Sequence, residues 1–300
     1  MNDNKSLNLS QIIKYLEDNK YLVDIIGEKN CIIDGFSSAN KYKRNSLTWI
    51  KDDANAKKIV NELDVCIAPI GVMPKAKTVL ICNNVKAAFF ATLEHFFYKK
   101  PDSNTVGENT VIGNQVQIDD DVVIGNNCSI IGEITIGSGT VISDNVVIKN
   151  RVSIGSNCEI QALTVIGEDG FAYSEDANHK KDMIKHYGGV TIGNNVFVGS
   201  HVNIARGTID DTVIEDGVKI SPSSHIGHNN YIEKDSTIIC SQLYGSAHMG
   251  ENSYIVASVL KNQTQIGNNT MIGMGSVVVK SIEDNKVAYG IPAAVKKDRM

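Results

Sequence analysis

The sequence between Val106 and Gly167 reads VGENTVIGNQVQIDDDVVIGNNCSIIGEITIGSGTVISDNVVIKNRVSIGSNCEIQALTVIG. Every sixth residue in this stretch is aliphatic. The eleven positions are Val106, Ile112, Ile118, Ile124, Ile130, Ile136, Ile142, Ile148, Ile154, Ile160 and Ile166. Glycine often follows the aliphatic residue, and the fourth residue after it tends to be small or β-branched. A period of six fits neither an α-helix nor a simple alternating strand, but it is typical of short strands joined by tight turns.

Three such rungs make a triangular coil of about 18 residues, and stacked coils share one continuous core. The pattern therefore predicts a mainly β protein, a parallel β-helix of hexapeptide repeats. Each rung should bury one large aliphatic side chain and one small one. Cys128 and Cys158 fall in the small interior slot, so we expect them to be packed core thiols and not redox or metal-binding residues.

The period resumes after a gap and continues to Val278, with two interruptions. Residues 168–189 form a polar excursion that is too long for a turn, and the 239–262 stretch is irregular. Extruded loops on a rigid scaffold often carry function. We therefore predict a β-helix over residues 106–282, with 168–189 as an inserted loop, and a short C-terminal tail over 283–300.

Residues 1–105 lack the repeat and mix helical with strand patterns, which predicts a small α/β domain. One helix is expected to begin after Asn8, a favourable N-cap, and to carry an apolar stripe on one face. Another is expected from about Asn84 to Tyr98.

Composition narrows the classes of function. The chain has 300 residues and a formal net charge of −5, which gives no electrostatic reason to expect nucleic acid or an anionic membrane as partner. No apolar run is long enough to span a bilayer, and no signal peptide is visible. The six cysteines are scattered without metal-ligand spacing. These features predict a cytoplasmic protein without a catalytic metal.

Several motifs, in order along nearly the full chain, resemble those of one known family. They are Ser-Leu-Thr-Trp-Ile (46–50), Gly170-Phe171-Ala172-Tyr173, Gly188-Gly189-Val190, Arg206-Gly207 with Asp210-Asp211-Thr212, and His225-Ile226-Gly227-His228-Asn229. The family is that of the UDP-3-O-acylglucosamine N-acyltransferases of lipid A (lipopolysaccharide) biosynthesis. The resemblance implies a left-handed β-helix, a homotrimer with active sites between neighbouring subunits, and an N-terminal domain that helps to hold the nucleotide.

The resemblance also implies that His228 is the catalytic base. Acyl transfer to an amine needs a proton acceptor at the nitrogen and a donor for the developing oxyanion. A histidine has an unperturbed pKa near 6.5 and is largely a free base at neutral pH. His228 lies two residues after the interior Ile226, so its side chain can point out of the coil. A backbone N–H on an adjacent rung would be the natural oxyanion donor, but the sequence does not identify which one.

Other residues are expected to bind substrates. The candidates for the nucleotide sugar are Trp49, His186, His201, His225 and Asn229. The candidates for the acyl donor, which resemble the closing segment of many repeat acyltransferases, are Gly273, Gly275 and Lys280. Two alternatives stay open. Trp49 stacks on a base or packs in the core, and the two glycines contact the donor or only form turns.

The expected reaction moves an acyl group from a pantetheine thioester, on acyl carrier protein or CoA, to the amine of a nucleotide-linked amino sugar. No tightly bound cofactor is expected. Asp52 and Asn55 stand where the family has an Asn and an aromatic residue, which leaves recognition of uracil open. One alternative is an acetyl-CoA-dependent N-acetyltransferase of a UDP- or dTDP-amino sugar. A non-enzymatic alternative is an inactive β-helix that serves as a scaffold or binding module.

Overall fold

The chain forms two compact units, one within residues 1–100 and the other within residues 101–300. The computed structural model describes residues 6–99, 102 and 104–298.

The first unit contains a five-stranded sheet in the order β2-β7-β6-β5-β4 and a separate antiparallel pair, β1-β3. Its helices are α1 (Leu9–Asp18), α2 (Asp53–Ala56) and α3 (Val85–Phe97), with a 3₁₀ turn at Ala39–Lys41. Its strands are β1 (Leu7–Asn8), β2 (Leu22–Gly27), β3 (Ile32–Ile33), β4 (Gly35–Phe36), β5 (Ser46–Trp49), β6 (Leu63–Pro69) and β7 (Ala76–Cys82). Strands β4, β5, β6 and β7 are parallel, and β2 joins β7 antiparallel.

Both predicted helices are present, and side-chain caps explain where they begin. Asn8 accepts a hydrogen bond from the Ser10 N–H, and Gln11 accepts one from the Asn8 N–H, which forms a capping box. Asn84 likewise accepts from the Ala87 N–H at the start of α3. The apolar stripe of α1 is buried, as the spacing predicts. A cap of this kind contributes about 1 kcal/mol to helix stability.

The second unit is a parallel β-helix followed by a C-terminal hairpin. Its strands are β8 (Thr105–Val106), β9 (Val111–Ile112), β10 (Val116–Ile118), β11 (Val123–Ile124), β12 (Ser129–Ile136), β13 (Val141–Ile142), β14 (Val147–Ile154), β15 (Glu159–Ile160), β16 (Val165–Ile166), β17 (Tyr173–Glu175), β18 (Lys181–Met183), β19 (Val190–Ile192), β20 (Phe197–Val198), β21 (Asn203–Ile204), β22 (Thr212–Ile214), β23 (Lys219–Ile220), β24 (His225–Ile226), β25 (Tyr231–Ile232), β26 (Thr237–Ile239), β27 (Gln242–Leu243), β28 (His248–Met249), β29 (Tyr254–Val256), β30 (Val259–Leu260), β31 (Gln265–Ile266), β32 (Met271–Ile272), β33 (Val277–Val278), β34 (Lys286–Tyr289) and β35 (Ala294–Asp298). Strand β34 continues the parallel stack, and β35 folds back antiparallel on it.

Strand pairing follows the repeat. Val123 pairs with Val141, 18 residues later, so one coil stacks on the next in register. The aliphatic residues of the repeat form one buried column inside the coils, from Ile124 onward. Burial of each such side chain contributes roughly 1.5–3 kcal/mol. Cys128 and Cys158 are both 2% exposed within this column, as predicted.

Residues 168–189 leave the coil, and part of the segment forms the antiparallel hairpin β17–β18. The 239–262 stretch does not leave it, so the expectation of a second irregular loop there is wrong. Thr237 pairs with Tyr254 and Gln242 with Val259, each 17 residues apart. Two successive coils are each a residue shorter than usual, which shifts the sixfold count while the stack continues.

Candidate functional site

A cavity of about 360 Å³ opens at one corner of the β-helix, where the turns after β24, β27 and β30 stack. Two residues of the inserted segment complete its wall. The lining residues are Gly170, Phe171, His225, Gly227, His228, Tyr244, Gly245 and Asn262. The cavity therefore collects side chains and backbone from three coils and from the extruded loop.

The orientation of His228 is fixed by Asn229. The Asn229 Oδ1 atom accepts hydrogen bonds from the Thr208 N–H at 3.0 Å and the Thr208 hydroxyl at 2.9 Å, while its Nδ2 donates to the Asp210 carbonyl at 2.9 Å. These partners identify which amide atom is the oxygen. The His228 Nδ1 lies 3.0 Å from that oxygen and must donate to it. The proton on Nδ1 leaves a free lone pair on Nε2, the atom that a general base uses.

Backbone N–H groups at this corner lack the side-chain caps found elsewhere in the β-helix. The relevant position is the second residue after an inward-facing aliphatic residue. At several positions of the other corners its N–H donates to the side chain stacked beneath it, as Asn194 does to Asp216 at 2.6 Å and Asn268 does to Asp284 at 2.8 Å. The residue beneath His228 is Gly245, which has no side chain.

Because of this, the N–H of His228 has no hydrogen-bond partner among the residues that the structure describes. The N–H of Gly245 has none there either, although the residue beneath it is Asn262. The imidazole lies directly over the glycine: a Cβ atom added to Gly245 would be 2.5 Å from the His228 Nε2. An imidazole nitrogen without a partner and two unpartnered N–H groups therefore lie together in the described part of the chain. The sequence shows this feature as a glycine two residues after the interior Leu243, whereas Asn194, Asp216 and Asn268 stand at equivalent positions of another corner.

His186 and Gly170 bring the inserted segment against His228. The His186 ring is 4% exposed, and its centroid lies 5.3 Å from that of His228 at an interplanar angle of 82°. Its Nδ1 donates to the Ile184 carbonyl at 3.1 Å, and its Nε2 is buried without a partner in the described part of the chain. A Cβ on Gly170 would lie 3.0 Å from the His228 Cβ, a contact so tight that one of the two side chains would have to shift, so glycine favours this approach.

The base of the inserted segment is anchored by Asp211. Its carboxylate accepts hydrogen bonds from the Gly189 N–H at 2.8 Å and the Thr191 hydroxyl at 3.1 Å, and it pairs with Arg151 at 2.5 Å. Burial acts to raise the pKa of Asp211, but these hydrogen bonds and the Arg151 charge outweigh it, and the pKa is lowered. The Asp211 carboxylate is therefore ionised near neutral pH in this structure.

Two other histidines of the β-helix, His225 and His201, were predicted to bind substrate, and only His225 lines the cavity. His225 is half-buried in the cavity wall. Burial lowers the pKa of His225, and the neighbouring His228 lowers it further, so His225 is neutral near pH 7. His201 is exposed at a left-handed turn with φ 57° and does not line the cavity.

Trp49 belongs to the first unit, where it is half-buried at the end of β5. Its ring lies 6.2 Å from that of Phe89 and 6.3 Å from that of Phe90. One side therefore packs on the core while part of the ring stays accessible. Nearby, Asp52 accepts hydrogen bonds from the Asn55 N–H and side-chain amide, each at 2.8 Å, so these two residues cap α2 together.

The predicted donor-binding glycines both have a role in turns. Gly273 accepts hydrogen bonds from the hydroxyls of Ser258 and Ser276 through its carbonyl. Gly275 has φ 74°, a conformation that favours glycine. Lys280 is exposed just after β33.

Comparison with known proteins places this geometry in context. A family model described as "Bacterial transferase hexapeptide (six repeats)" matches residues 133–168. UDP-3-O-acylglucosamine N-acyltransferase 1 of Legionella pneumophila (strain Paris) is 36% identical over 237 residues, 72% of this chain and 67% of that protein. The UDP-3-O-acylglucosamine N-acyltransferase of Saccharophagus degradans is 51% identical over 75 residues, which span only 22% of that relative's length and 25% of this chain.

Among solved structures, LpxA from Acinetobacter baumannii superposes with a TM-score of 0.58 at 26% identity, covering 65% of this chain and 74% of that one. The shared architecture is the left-handed parallel β-helix, so the predicted fold class is confirmed. In the described part of the chain, none of the helices has the length and apolar character needed to cross a bilayer.

Proposed function

The chain belongs to the UDP-3-O-acylglucosamine N-acyltransferase family, and on that basis we propose that it transfers an acyl group from a thioester donor to the amine of a nucleotide-linked amino sugar. The observation that carries the proposal is the free Nε2 lone pair of His228, held by Asn229 in a cavity beside the unpartnered N–H of Gly245.

The chemistry follows from these two groups. The sugar nitrogen attacks the thioester carbonyl carbon, and the His228 Nε2 takes the proton that the nitrogen loses as the C–N bond forms. The carbonyl oxygen becomes an oxyanion, which the Gly245 N–H stabilises by a charge-assisted hydrogen bond. When the intermediate collapses, the C–S bond breaks and the imidazolium returns its proton to the leaving thiolate. The products are an amide and a free thiol.

The substrate is proposed to be a UDP-linked glucosamine, since UDP-3-O-acylglucosamine appears in the names of the relatives. The donor is proposed to be acyl carrier protein or CoA, both of which carry a pantetheine thioester. Stacking of a nucleotide base on the accessible part of Trp49 is a further part of the proposal, as is assembly of the chain into a homotrimer.

Purified protein tests the proposal when acetyl-CoA and hydroxyacyl carrier protein are each offered against UDP- and dTDP-amino sugars, with the amide product measured by mass spectrometry. We expect turnover with a UDP-amino sugar. His228→Ala should lower kcat at least about 100-fold, because a positioned base contributes that much or more. The matched control is His179→Ala, which removes a histidine whose side chain is 85% exposed in the inserted hairpin, and it should keep parental activity.

Three outcomes would contradict parts of the proposal. Consumption of acetyl-CoA with a dTDP-amino sugar alone would establish the acetyltransferase alternative. No turnover with any pair would favour a scaffold or binding module. Parental turnover by a folded His228→Ala protein would exclude this histidine as the base.

A further inference from the structure

Asn230 occupies an interior position that holds small side chains in the other coils. It is the fourth residue after Ile226, and its side chain is 0% exposed inside the β-helix, directly behind the turn that carries His228. Elsewhere in the described coils this slot holds residues such as Val196, Val218, Ser236 and Thr270. Asn230 is the single amide side chain in the slot over that part of the chain.

The Asn230 amide can donate two hydrogen bonds, whereas a hydroxyl in the same slot can donate only one. Ser236, one corner further on, donates its single proton to the Gly250 carbonyl of the next coil at 2.8 Å. The Asn230 Nδ2 carries two protons, and it donates to the Gly227 carbonyl of its own coil at 2.7 Å and to the Tyr244 carbonyl of the next coil at 3.2 Å. Asn230 therefore holds two stacked turns at once.

These two carbonyls belong to the peptide units whose N–H groups are free. The Gly227 carbonyl shares a planar trans peptide with the N–H of His228, and the Tyr244 carbonyl shares one with the N–H of Gly245. In such a peptide the C=O and N–H bonds point in opposite directions. Because both carbonyls point to Asn230 in the interior, both N–H groups point outward, at residues that line the cavity.

The arrangement costs stability. The Asn230 Oδ1 atom is buried and has no hydrogen-bond partner within the described residues. A buried acceptor without a partner is unfavourable compared with an apolar group of similar size. Features that lower the stability of the fold in this way are expected to persist mainly at functional sites.

We propose that Asn230 is a positioning residue that fixes the planes of the 227–228 and 244–245 peptides, so that their N–H groups form the donor pair for the oxyanion. The inference rests on the proposed acyl transfer for its catalytic meaning. It goes beyond that proposal in assigning a role to a side chain that never reaches the cavity.

The test compares Asn230→Val and Asn230→Thr in the otherwise complete chain. Valine and threonine already occupy this slot in other coils, so both variants should fold. Asn230→Val loses both bonds and should lower kcat about tenfold or more, less than the 10²–10³-fold typical of losing a donor outright, because the N–H groups remain. Asn230→Thr keeps one proton and should fall between the valine variant and the parent.

Three further readouts separate positioning from a merely structural role. The KM for each substrate and the pH dependence of kcat/KM should stay at parental values, since His228 and Asn229 are untouched. The melting temperature should fall only modestly, because the orphaned oxygen is removed while the Gly227 and Tyr244 carbonyls lose their donor. Ser236→Val, which removes an interior bond one corner further on and outside the cavity lining, should leave kcat unchanged.

Parental kcat in Asn230→Val would overturn the inference, as would a loss of kcat that Ser236→Val reproduces. A parent chain that turns over no substrate would instead refute the proposed function. In that case a crystal structure of Asn230→Val still decides the inference: we expect the 244–245 peptide to rotate, and unchanged peptide planes would overturn it.

Discussion

The close approach of His228 to Gly245 leads to our most direct prediction, for Gly245→Ala. The added Cβ would lie 2.5 Å from the His228 Nε2 and 2.6 Å from its Cε1. Non-bonded heavy atoms normally sit about 3.5 Å apart or more, so the imidazole has to retreat by roughly 1 Å. The backbone N–H of residue 245 is retained, so the change displaces the base without deleting the proposed oxyanion donor.

A misplacement of about 1 Å costs on the order of 100-fold in rate, which corresponds to about 2.7 kcal/mol of transition-state stabilisation. Stability should hardly change, because the atoms that must move are the far end of a side chain at the rim of a cavity. Gly245 also has no left-handed φ that would oppose alanine. We therefore expect kcat/KM to fall about 100-fold while the melting temperature stays at the parental value.

The measurement is steady-state acyl transfer alongside thermal unfolding, with Gly113→Ala as the matched control. Gly113 belongs to the same repeat, and a Cβ there meets nothing closer than 3.4 Å, so this variant should keep parental activity. Full activity in a folded Gly245→Ala protein would show that the imidazole over residue 245 is not the working base.

Two further predictions concern the loop anchor and the first unit. Because the pKa of Asp211 is lowered in the folded chain, its contribution is present above about pH 4 and is lost as the pH falls through the lowered value. Asp211→Asn should therefore melt at a lower temperature than the parent at pH 7, and the gap should narrow below pH 4; a gap independent of pH would contradict the assignment. Trp49 is the only Trp, so fluorescence under tryptophan-selective excitation reports on it alone: UDP should quench it saturably and pyrophosphate should not, and an unchanged signal with millimolar UDP would exclude base stacking.

Much of the fold could be predicted because each coil contacts only its neighbours at a nearly constant spacing. The wrong prediction of an irregular loop at 239–262 also comes from relying on this constant spacing. From Ile238 to Leu243, and again from Ile255 to Leu260, the step is five residues instead of six. Aliphatic residues still face inward there, but a count in sixes loses them, and only the pairing of the strands restores the register.

The sequence alone determined the β-helix, because stacked coils of short strands bury an aliphatic side chain at every sixth residue. Motif resemblance singled out His228. Tertiary structure decided what surrounds that histidine. The proton position on its ring depends on Thr208 and Asp210, about twenty residues away, and the free N–H of His228 depends on a glycine one coil below. Asn230 looks like an ordinary turn residue until its two carbonyl partners are known, because a hydrogen bond between coils joins residues that no local pattern relates.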